Sequence, residues 1–165
     1  GMTVLDVGSG TGVFLPYIFD MVGPGGSIIA LDYAEKMLRE SKNKPHPAGV
    51  CYLCGDALHL PLADNSCDAV VCYSSFPHFP DKKRAIAELM RVINDGGQIF
   101  VCHTSGREQI NAIHGKVPVL QNHLLPDAIE MEQLLRQAGF VEIAVRETPE
   151  SYFAVGRKAK VSVPG

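Results

Sequence analysis

The sequence has little excess charge of either sign and no tryptophan. Its 15 lysine and arginine residues are nearly balanced by 18 aspartate and glutamate residues, which gives a formal net charge of -3. A protein that binds nucleic acid usually carries a basic patch or stripe. The charge balance therefore argues against nucleic acid as the main partner and leaves small molecules as the expected ligands.

Long apolar runs are also missing. No run approaches the roughly 20 residues that cross a bilayer, and no signal peptide precedes the first predicted strand. The five cysteines are odd in number and lie scattered in apolar segments, which fits a reducing compartment better than a disulfide framework. We therefore expect no membrane span and a cytoplasmic location.

Metal-ligand spacing is absent as well. Cys51 and Cys54 form a C-x-x-C pair, but they lie on a predicted strand, where we expect their side chains to point to opposite faces. No second pair and no histidine cluster follows at zinc spacing, so we expect no metal site. We interpret Cys51, Cys67, Cys72 and Cys102 as small core residues.

The stretch VLDVGSGTG at residues 4–12 is the strongest positive signal. An apolar run around one aspartate is followed by glycines at alternate positions, which predicts a buried strand, a tight turn and a helix. Glycines allow a ligand to approach the backbone closely, and the start of a helix offers free N–H groups. We expect the helix over residues 11–21, with Val13, Phe14, Ile18 and Val22 facing the sheet.

Strands and helices alternate along the rest of the chain. Predicted strands cover residues 3–7, 27–31, 50–54, 68–73 and 98–103, followed by a terminal hairpin of 141–147 and 152–157. Further helices are predicted over residues 34–42, 82–93 and 127–138, and residues 104–126 form a long irregular or partly helical insertion. This order predicts an α/β fold with a doubly wound, mostly parallel sheet in a single domain over residues 1–165.

Two carboxylates follow the next two predicted strands. Asp32 ends the second strand, a little over twenty residues past the glycine turn, where a carboxylate can accept hydrogen bonds from both ribose hydroxyls of a nucleotide. Asp56 ends the third strand, where it can accept from an adenine amino group. The alternatives are a helix N-cap at Asp32 and a turn-forming aspartate after Gly55.

These motifs together resemble the class I S-adenosylmethionine-dependent methyltransferases of the small-molecule type, which include the quinone-biosynthesis C-methyltransferases. The matching parts are residues 4–12, Asp32 and the run GDA at 55–57 with LPL at 60–62. The run at 66–71, the helix at 84–92 and Gly96-Gly97 match as well. The resemblance covers residues 4–103 closely and the last sixty loosely. It implies a Rossmann-like fold that ends in an antiparallel hairpin.

The resemblance also implies S-adenosylmethionine as cofactor and a set of residues that bind it. That set is Asp6, Gly8, Ser9, Gly10, Asp32, Tyr33, Asp56, Ala57, Leu58 and Ser74. Within it, Gly8 and Gly10 border the methionine end, and Asp6 supports the turn and reaches the cofactor amino group through water. Leu58 packs on the adenine face, and Ser74 borders the reactive methyl group.

The implied reaction is an in-line displacement in which the protein mainly aligns and desolvates the acceptor. A general base is needed only for a poorly nucleophilic acceptor. His78, in the run FPHF at 76–79, is the first candidate because this loop reaches the methyl end in the family. His103 and His114 come next. The alternative is a loop histidine satisfied by solvent or backbone.

In this family one or two helices usually precede the first strand, whereas this sequence begins almost at that strand. Either its start is truncated, or residues 104–126 or a second subunit cover the site. We expect the chain alone to hold the cofactor weakly in a solvent-open site. A homo-oligomer is left open. The competing hypotheses are a non-catalytic S-adenosylmethionine-binding module and an NAD-dependent oxidoreductase, whose third glycine would follow at a different spacing.

Overall fold

A computed structural model describes residues 1–46 and 49–160. They form one seven-stranded sheet with helices on both sides. The strands are β1 (Thr3–Val7), β2 (Ser27–Asp32), β3 (Val50–Cys54), β4 (Cys67–Tyr73), β5 (Ile93–His103), β6 (Phe140–Glu147) and β7 (Tyr152–Lys158). The helices are α1 (Leu15–Val22), α2 (Glu35–Lys42), α3 (Lys82–Val92), α4 (Arg107–Gly115) and α5 (Ala128–Gln137), with a short 3-10 helix at Phe76–His78.

The strand order is β3-β2-β1-β4-β5-β7-β6. Strands β1 to β5 pair in parallel, whereas β7 pairs antiparallel with β5 and β6. This confirms the predicted α/β fold with a mostly parallel sheet and a terminal antiparallel hairpin. The chain order reverses between β1 and β4, and ligands of doubly wound sheets bind at such a switch point, beyond the carboxyl ends of the strands.

The central strands are apolar because helices cover both of their faces. Leu5, Ile28 and Val70 are fully buried in three neighbouring strands. The helices begin where the sequence supplies caps. Asp81 accepts a hydrogen bond from the Arg84 backbone at the start of α3, and Asp127 forms a capping box at the start of α5.

Helix α1 differs from its prediction. It begins at Leu15 rather than near residue 11, because the turn before it contains Gly8, Gly10 and Gly12 at φ values of 72°, 55° and 76°. Such left-handed backbone cannot belong to a right-handed helix. The later start also changes which side chains face the sheet, and Val13, expected to face it, is 63% exposed.

Three other segments were predicted incompletely. Residues 107–115 of the predicted insertion form the regular helix α4, and residues 76–78 of the predicted loop form the 3-10 helix. Strand β5 begins at Ile93, five residues before its predicted start, because its register against β4 shifts between Cys67 and Ala69. This irregularity absorbs the glycine-containing turn that was expected to precede the strand.

The interpretation of Cys51 as a core residue is wrong. Strand β3 lies at the edge of the sheet, and both Cys51 and Cys54 are exposed there. Across residues 1–46 and 49–160, no group of three or more histidine, cysteine, aspartate or glutamate side chains could hold a metal ion. The same residues contain no helix of the length and hydropathy needed to span a membrane.

Candidate active site

The glycine turn after β1 is tied closely to β2. The N–H groups of Gly8 and Ser9 donate to the Leu31 carbonyl at 2.8 and 2.9 Å, and the Gly10 N–H donates to Asp32 Oδ2 at 2.8 Å. These donors are therefore engaged within the protein. The free N–H groups predicted at the start of the helix lie beyond these three positions.

The turn has no space for a side chain at Gly8. A Cβ atom at Gly8 would lie 2.4 Å from Ser75 Cβ, well inside van der Waals contact. Ser75 itself is fixed at the end of β4, where its hydroxyl donates to the Val7 carbonyl at 2.6 Å. Gly8 thus leaves room for the Ser75 side chain to pack directly against the turn, and this packing joins the end of β1 to the segment after β4.

The Asp32 carboxylate holds two pieces of backbone together. Besides the Gly10 N–H, it accepts the Ala34 N–H at 2.8 Å through Oδ1. Ala34 is the N-cap residue of α2, so Asp32 supports the entry to this helix without being its cap. Each carboxylate oxygen keeps a second lone pair for a ligand hydroxyl, so this structural role is compatible with the predicted ribose contact.

Asp56, like Asp32, accepts a backbone hydrogen bond and keeps further acceptor capacity. Its Oδ1 atom accepts the Leu58 N–H at 2.9 Å, which is the local turn that the alternative interpretation proposed. The other oxygen, Oδ2, lies 3.6 Å from Nδ1 of His59. Asp32 and Asp56 therefore both stabilise the backbone at strand ends, and each carboxylate keeps acceptor capacity beyond these bonds.

A cavity of about 600 Å³ lies beyond the ends of β1 to β4. It brings together most of the predicted site residues, namely Gly8, Gly10, Asp32, Tyr33, Asp56, Ala57, Ser74 and His78. Its other lining residues were missed by sequence reasoning: Val7, Leu31, Met37, Gly55, Ser75, Phe79 and Pro80. Most of these are sequence neighbours of predicted residues. Met37 had no such signal, because its helical spacing is typical of core packing.

The other three predicted residues do not line this cavity. Asp6 lies beneath the turn and is 1% exposed. Its Oδ2 atom has no hydrogen-bond partner in the described part of the chain, and burial together with the charge of Asp32 raises the Asp6 pKa to about 7. Ser9 is buried, and Leu58 packs against the apolar core. Their ligand contacts stay predictions.

Ser74 has the most unusual backbone of the site. Its φ of 54° lies in the left-handed region, which costs a residue with a side chain on the order of 1–3 kcal/mol. Its N–H donates to the Cys102 carbonyl at 2.9 Å, which holds this conformation against β5. Ser74 lines the large cavity and also a smaller one, so the two cavities share Ser74 in their linings.

Histidines gather at the Ser74 end of the large cavity. The Nδ1 atoms of His78 and His123 are 3.1 Å apart, and the His78 ring lies 5.1 Å from the His114 ring between centroids. Partial burial of the His78 ring and the neighbouring His114, His123 and Lys82 lower its pKa. His78 is therefore neutral at neutral pH and able to accept a proton.

The smaller cavity has a volume of about 140 Å³. Its lining residues come from the ends of β4 and β5 and from α4: Ser74, Pro77, His103, Thr104, Ser105, Ile110 and His114. His103 is 6% exposed, and burial followed by the charges of His78 and His114 lowers its pKa to about 4. The structure thus places the three candidate histidines, His78, His103 and His114, at one end of the site.

The residues present fit an adenosine compound with an amino-acid end. Two carboxylates stand at neighbouring strand ends, Gly8 and Gly10 line the same cavity, and a buried aspartate with an oxygen unpaired in the described part of the chain lies under the turn. A family model described as a methyltransferase domain matches residues 5–101. The chain belongs to this family.

Known relatives support the same assignment. The demethylmenaquinone methyltransferase of Staphylococcus haemolyticus is 32% identical over 170 residues, which covers 88% of this chain and 71% of the relative. The enzyme of the same name from Thermobifida fusca is 38% identical over 108 residues, or 64% of this chain and 44% of the relative. This chain is therefore an S-adenosylmethionine-dependent methyltransferase that resembles the quinone-biosynthesis enzymes.

A solved structure agrees with the fold as well as the family. The crystal structure of an S-adenosylmethionine-dependent methyltransferase from Aquifex aeolicus matches with a TM-score of 0.77 and 27% identity. The match covers 94% of this chain and 81% of that protein. S-adenosylmethionine is the cofactor that these comparisons indicate, and they favour it over the NAD considered from the glycine turn.

Proposed function

We propose that this enzyme methylates a small-molecule or lipid-like acceptor that meets the cofactor beside Ser74. The observation that supports this most is that two cavities share Ser74 in their linings. The larger one is also lined by the carboxylates Asp32 and Asp56, and the smaller one by His103 and His114. An elongated cofactor in the first would leave its reactive end at Ser74, which borders the second.

The predicted residue roles fit this arrangement. We propose that Asp32 accepts the ribose hydroxyls and that Asp56 with Ala57 holds the adenine, with Leu58 and Tyr33 beside them. Gly8, Ser9 and Gly10 would border the methionine end, and Asp6 would meet its amino group through water. S-adenosylmethionine supplies an activated methyl group together with its leaving group. The protein then has to position the acceptor and exclude water.

His78 is our candidate for proton transfer. When an acceptor carries a proton on its attacking atom, that proton passes to the His78 imidazole as the new bond to carbon forms and the carbon–sulfur bond breaks. The lowered pKa of His78 keeps the ring neutral and ready to accept it at neutral pH. The hydrogen bond between His78 and His123 holds the ring in place.

The test is to identify the acceptor and then to remove the base. Incubating the enzyme and isotopically labelled S-adenosylmethionine with a cell extract, followed by mass spectrometry, reveals the methylated product. Demethylmenaquinone is a natural first pure compound, given the names of the relatives. His78→Ala should then lower turnover by about 10²- to 10⁴-fold, the range for a general base, while the cofactor Kd stays unchanged. Unchanged turnover would remove His78 from the mechanism.

Cofactor binding without turnover on any acceptor would instead support a non-catalytic module. We further propose that residues 1–165 form one domain and that the enzyme works in the cytoplasm without nucleic acid as partner. The five cysteines support the location, because all of them are free thiols, as expected in a reducing compartment.

A further inference from the structure

We propose that residues 113–124 form a docking segment that seats the enzyme on the surface of an anionic lipid bilayer. The segment comprises the end of α4 and the turns that follow it. The inference rests on the proposed function and deepens it, because a lipid-like acceptor has to be collected from a bilayer. It concerns binding to the membrane surface and requires no helix that spans the membrane.

The first support is a group of exposed apolar side chains. Four large hydrophobic residues of the docking segment face solvent: Ile113, Val117, Val119 and Leu124. Single exposed apolar residues are ordinary on a protein surface, whereas several of them close together mark an interaction site. The docking segment therefore has the surface that a bilayer, rather than water, would stabilise.

The second support is the place where this segment is fixed. His114 Nδ1 donates to the His123 carbonyl, and the Asn111 side chain bonds both the N–H and the carbonyl of Leu125. The chain thus leaves α4 and returns to it as a closed loop. His123 also shares a hydrogen bond with His78, which lines the large cavity. The base of the loop therefore contacts the end of the site where we propose that the acceptor is methylated.

The loop between these fixed ends has an ordered backbone. It folds into successive turns closed by backbone hydrogen bonds, from the Val117 N–H to the His114 carbonyl at 3.0 Å, from Leu120 to Val117 at 2.8 Å and from His123 to Leu120 at 2.8 Å. Lys116 keeps helical backbone angles, so Val117 lies on the same side as Ile113, four residues earlier. Because the apolar side chains stand on a backbone that is already folded, little conformational entropy is lost on binding.

The third support is charge, and it favours an anionic surface. Residues 109–126 are the longest stretch of the sequence without an aspartate or glutamate. Lys116 is exposed beside Val117, and His114 and His123 add positive charge when they are protonated. An anionic leaflet attracts such a segment, and its apolar side chains can enter the boundary between head groups and acyl chains without burying a carboxylate.

Helix α1 provides an internal comparison. It also exposes apolar side chains, at Tyr17 and Met21, but the exposed Asp20 stands between them and the helix contains no basic residue. An anionic surface would repel this carboxylate. Met21 is therefore a suitable control position, because it resembles Val119 in exposure (67% against 79%) and differs from it in charge environment.

The first experiment is flotation of the purified enzyme with lipid vesicles, without acceptor or cofactor. One set of vesicles is pure phosphatidylcholine, and the other contains equal parts of phosphatidylcholine and phosphatidylglycerol. We expect the enzyme to float with the anionic vesicles. Lys116→Gln should weaken that binding about fivefold, the contribution of one lysine near an anionic surface, and should leave binding to phosphatidylcholine unchanged.

A matched pair of charge variants locates the contact. Val119→Asp should weaken binding to the anionic vesicles at least about tenfold, because it removes an inserted apolar side chain and adds a repelled carboxylate. Met21→Asp adds the same charge at a similarly exposed position and should change binding by less than about twofold. Both side chains are exposed, so thermal denaturation should show two folded proteins.

A fluorescent reporter distinguishes insertion from adsorption. The sequence has no tryptophan, so a single introduced tryptophan reports its own surroundings. The emission of Val119→Trp should move to shorter wavelength when anionic vesicles are added, and lipids brominated on their acyl chains should quench it. Met21→Trp should show neither effect.

No flotation of the wild type, equal losses in Val119→Asp and Met21→Asp, or an unchanged Val119→Trp spectrum would each overturn the proposal. If Val119→Asp converts a dimer to a monomer in size-exclusion chromatography, a second copy covers the segment and the proposal is wrong. If the aspartate variants fail to fold, wild-type flotation and the tryptophan reporter still decide. Vesicle binding without methylation of any acceptor would contradict the proposed function alone, whereas methylation of a detergent-dispersed acceptor without vesicle binding would contradict only this inference.

Discussion

The imidazole rings of His78 and His123 share a hydrogen bond, with their Nδ1 atoms 3.1 Å apart. One ring must donate and the other must accept, so both cannot be protonated while the bond exists. His114 and Lys82 also face His78 and add positive charge when protonated. Residues 45 positions apart in the chain are joined here at the end of the site where we propose that methyl transfer occurs.

This pair predicts an acidic limit to activity. The pKa of His78 is lowered from its ordinary value of 6.5, so kcat/KM should fall only as the pH drops below about 6.5. His123→Ala removes one of the neighbours that lower this pKa and should move the fall to higher pH. The measurement is a pH–rate profile of both proteins with the acceptor found above. If the acidic fall in kcat/KM lies at the same pH in both proteins, and the cofactor Kd is the same, a group other than His78 causes it.

For Gly8, we predict that an added methyl group destabilises the protein by steric collision, an effect that can be separated from backbone strain. Gly8→Ala places a methyl group 2.4 Å from Ser75 Cβ at a φ of 72°, and we expect a loss of about 2–4 kcal/mol of unfolding free energy together with cofactor binding. Gly25→Ala is the matched control, because its φ is 76° and nothing lies within 4 Å of the added atom. It should cost about 1 kcal/mol and leave the cofactor Kd unchanged. Urea denaturation and calorimetry measure both, and equal losses would contradict the steric argument.

The raised pKa of Asp6 predicts that the free energy of unfolding depends on pH. Its pKa is 3.8 in the unfolded chain and about 7 in the fold, so the native state binds more protons between these values. Stability from this group is therefore full below about pH 4 and is lost as the pH rises towards 7, by an amount on the order of 4 kcal/mol. Asp6→Asn should remove this dependence in urea denaturation. His103 acts in the opposite sense over the same range, because its pKa is lowered, so the variant must be compared with wild type at each pH.

The contacts of Arg91 predict that a distant ion-pair network supports the segment around Asp56, where we propose that the adenine binds. Its guanidinium donates to the carbonyls of Leu60 and Leu62 at 3.0 and 2.8 Å and pairs with Asp64 and Glu88. These bonds fasten the segment after Asp56 to α3. Arg91→Lys cannot reproduce the planar set of donors, and we expect a loss of about 1–3 kcal/mol in unfolding free energy and a higher cofactor Kd.

Arg136→Lys is the control for this change. Arg136 pairs with Glu132 on the surface of α5, with side chains 67% and 50% exposed, and such pairs contribute about 0–1 kcal/mol. Thermal shifts with and without S-adenosylhomocysteine measure both variants. A loss of stability in Arg91→Lys without any change in cofactor affinity would limit the network to a purely structural role.

The sequence by itself determined the parts of this protein that depend on local pattern. Apolar runs separated by helical periods indicated the parallel strands, and the glycine turn with Asp32 and Asp56 indicated the ligand side, because parallel strands end at the same edge of a sheet. The predicted ends of helices and strands were wrong where they depend on backbone conformation. Helix α1 begins later than predicted because the glycines before it are left-handed, and β5 begins earlier because its register against β4 shifts.

Only the tertiary structure decided which histidines meet. His78, His103, His114 and His123 come from a 3-10 helix, a strand end, a helix and the segment after it, and no sequence period relates them. Tertiary packing also decided which side chains are buried. Burial raised the pKa of Asp6 and left Nε2 of His103 without a partner in the described part of the chain. Cys51 is exposed because β3 is an edge strand. Burial and pairing depend on neighbours that are distant in the chain, and those neighbours are set by how the elements pack.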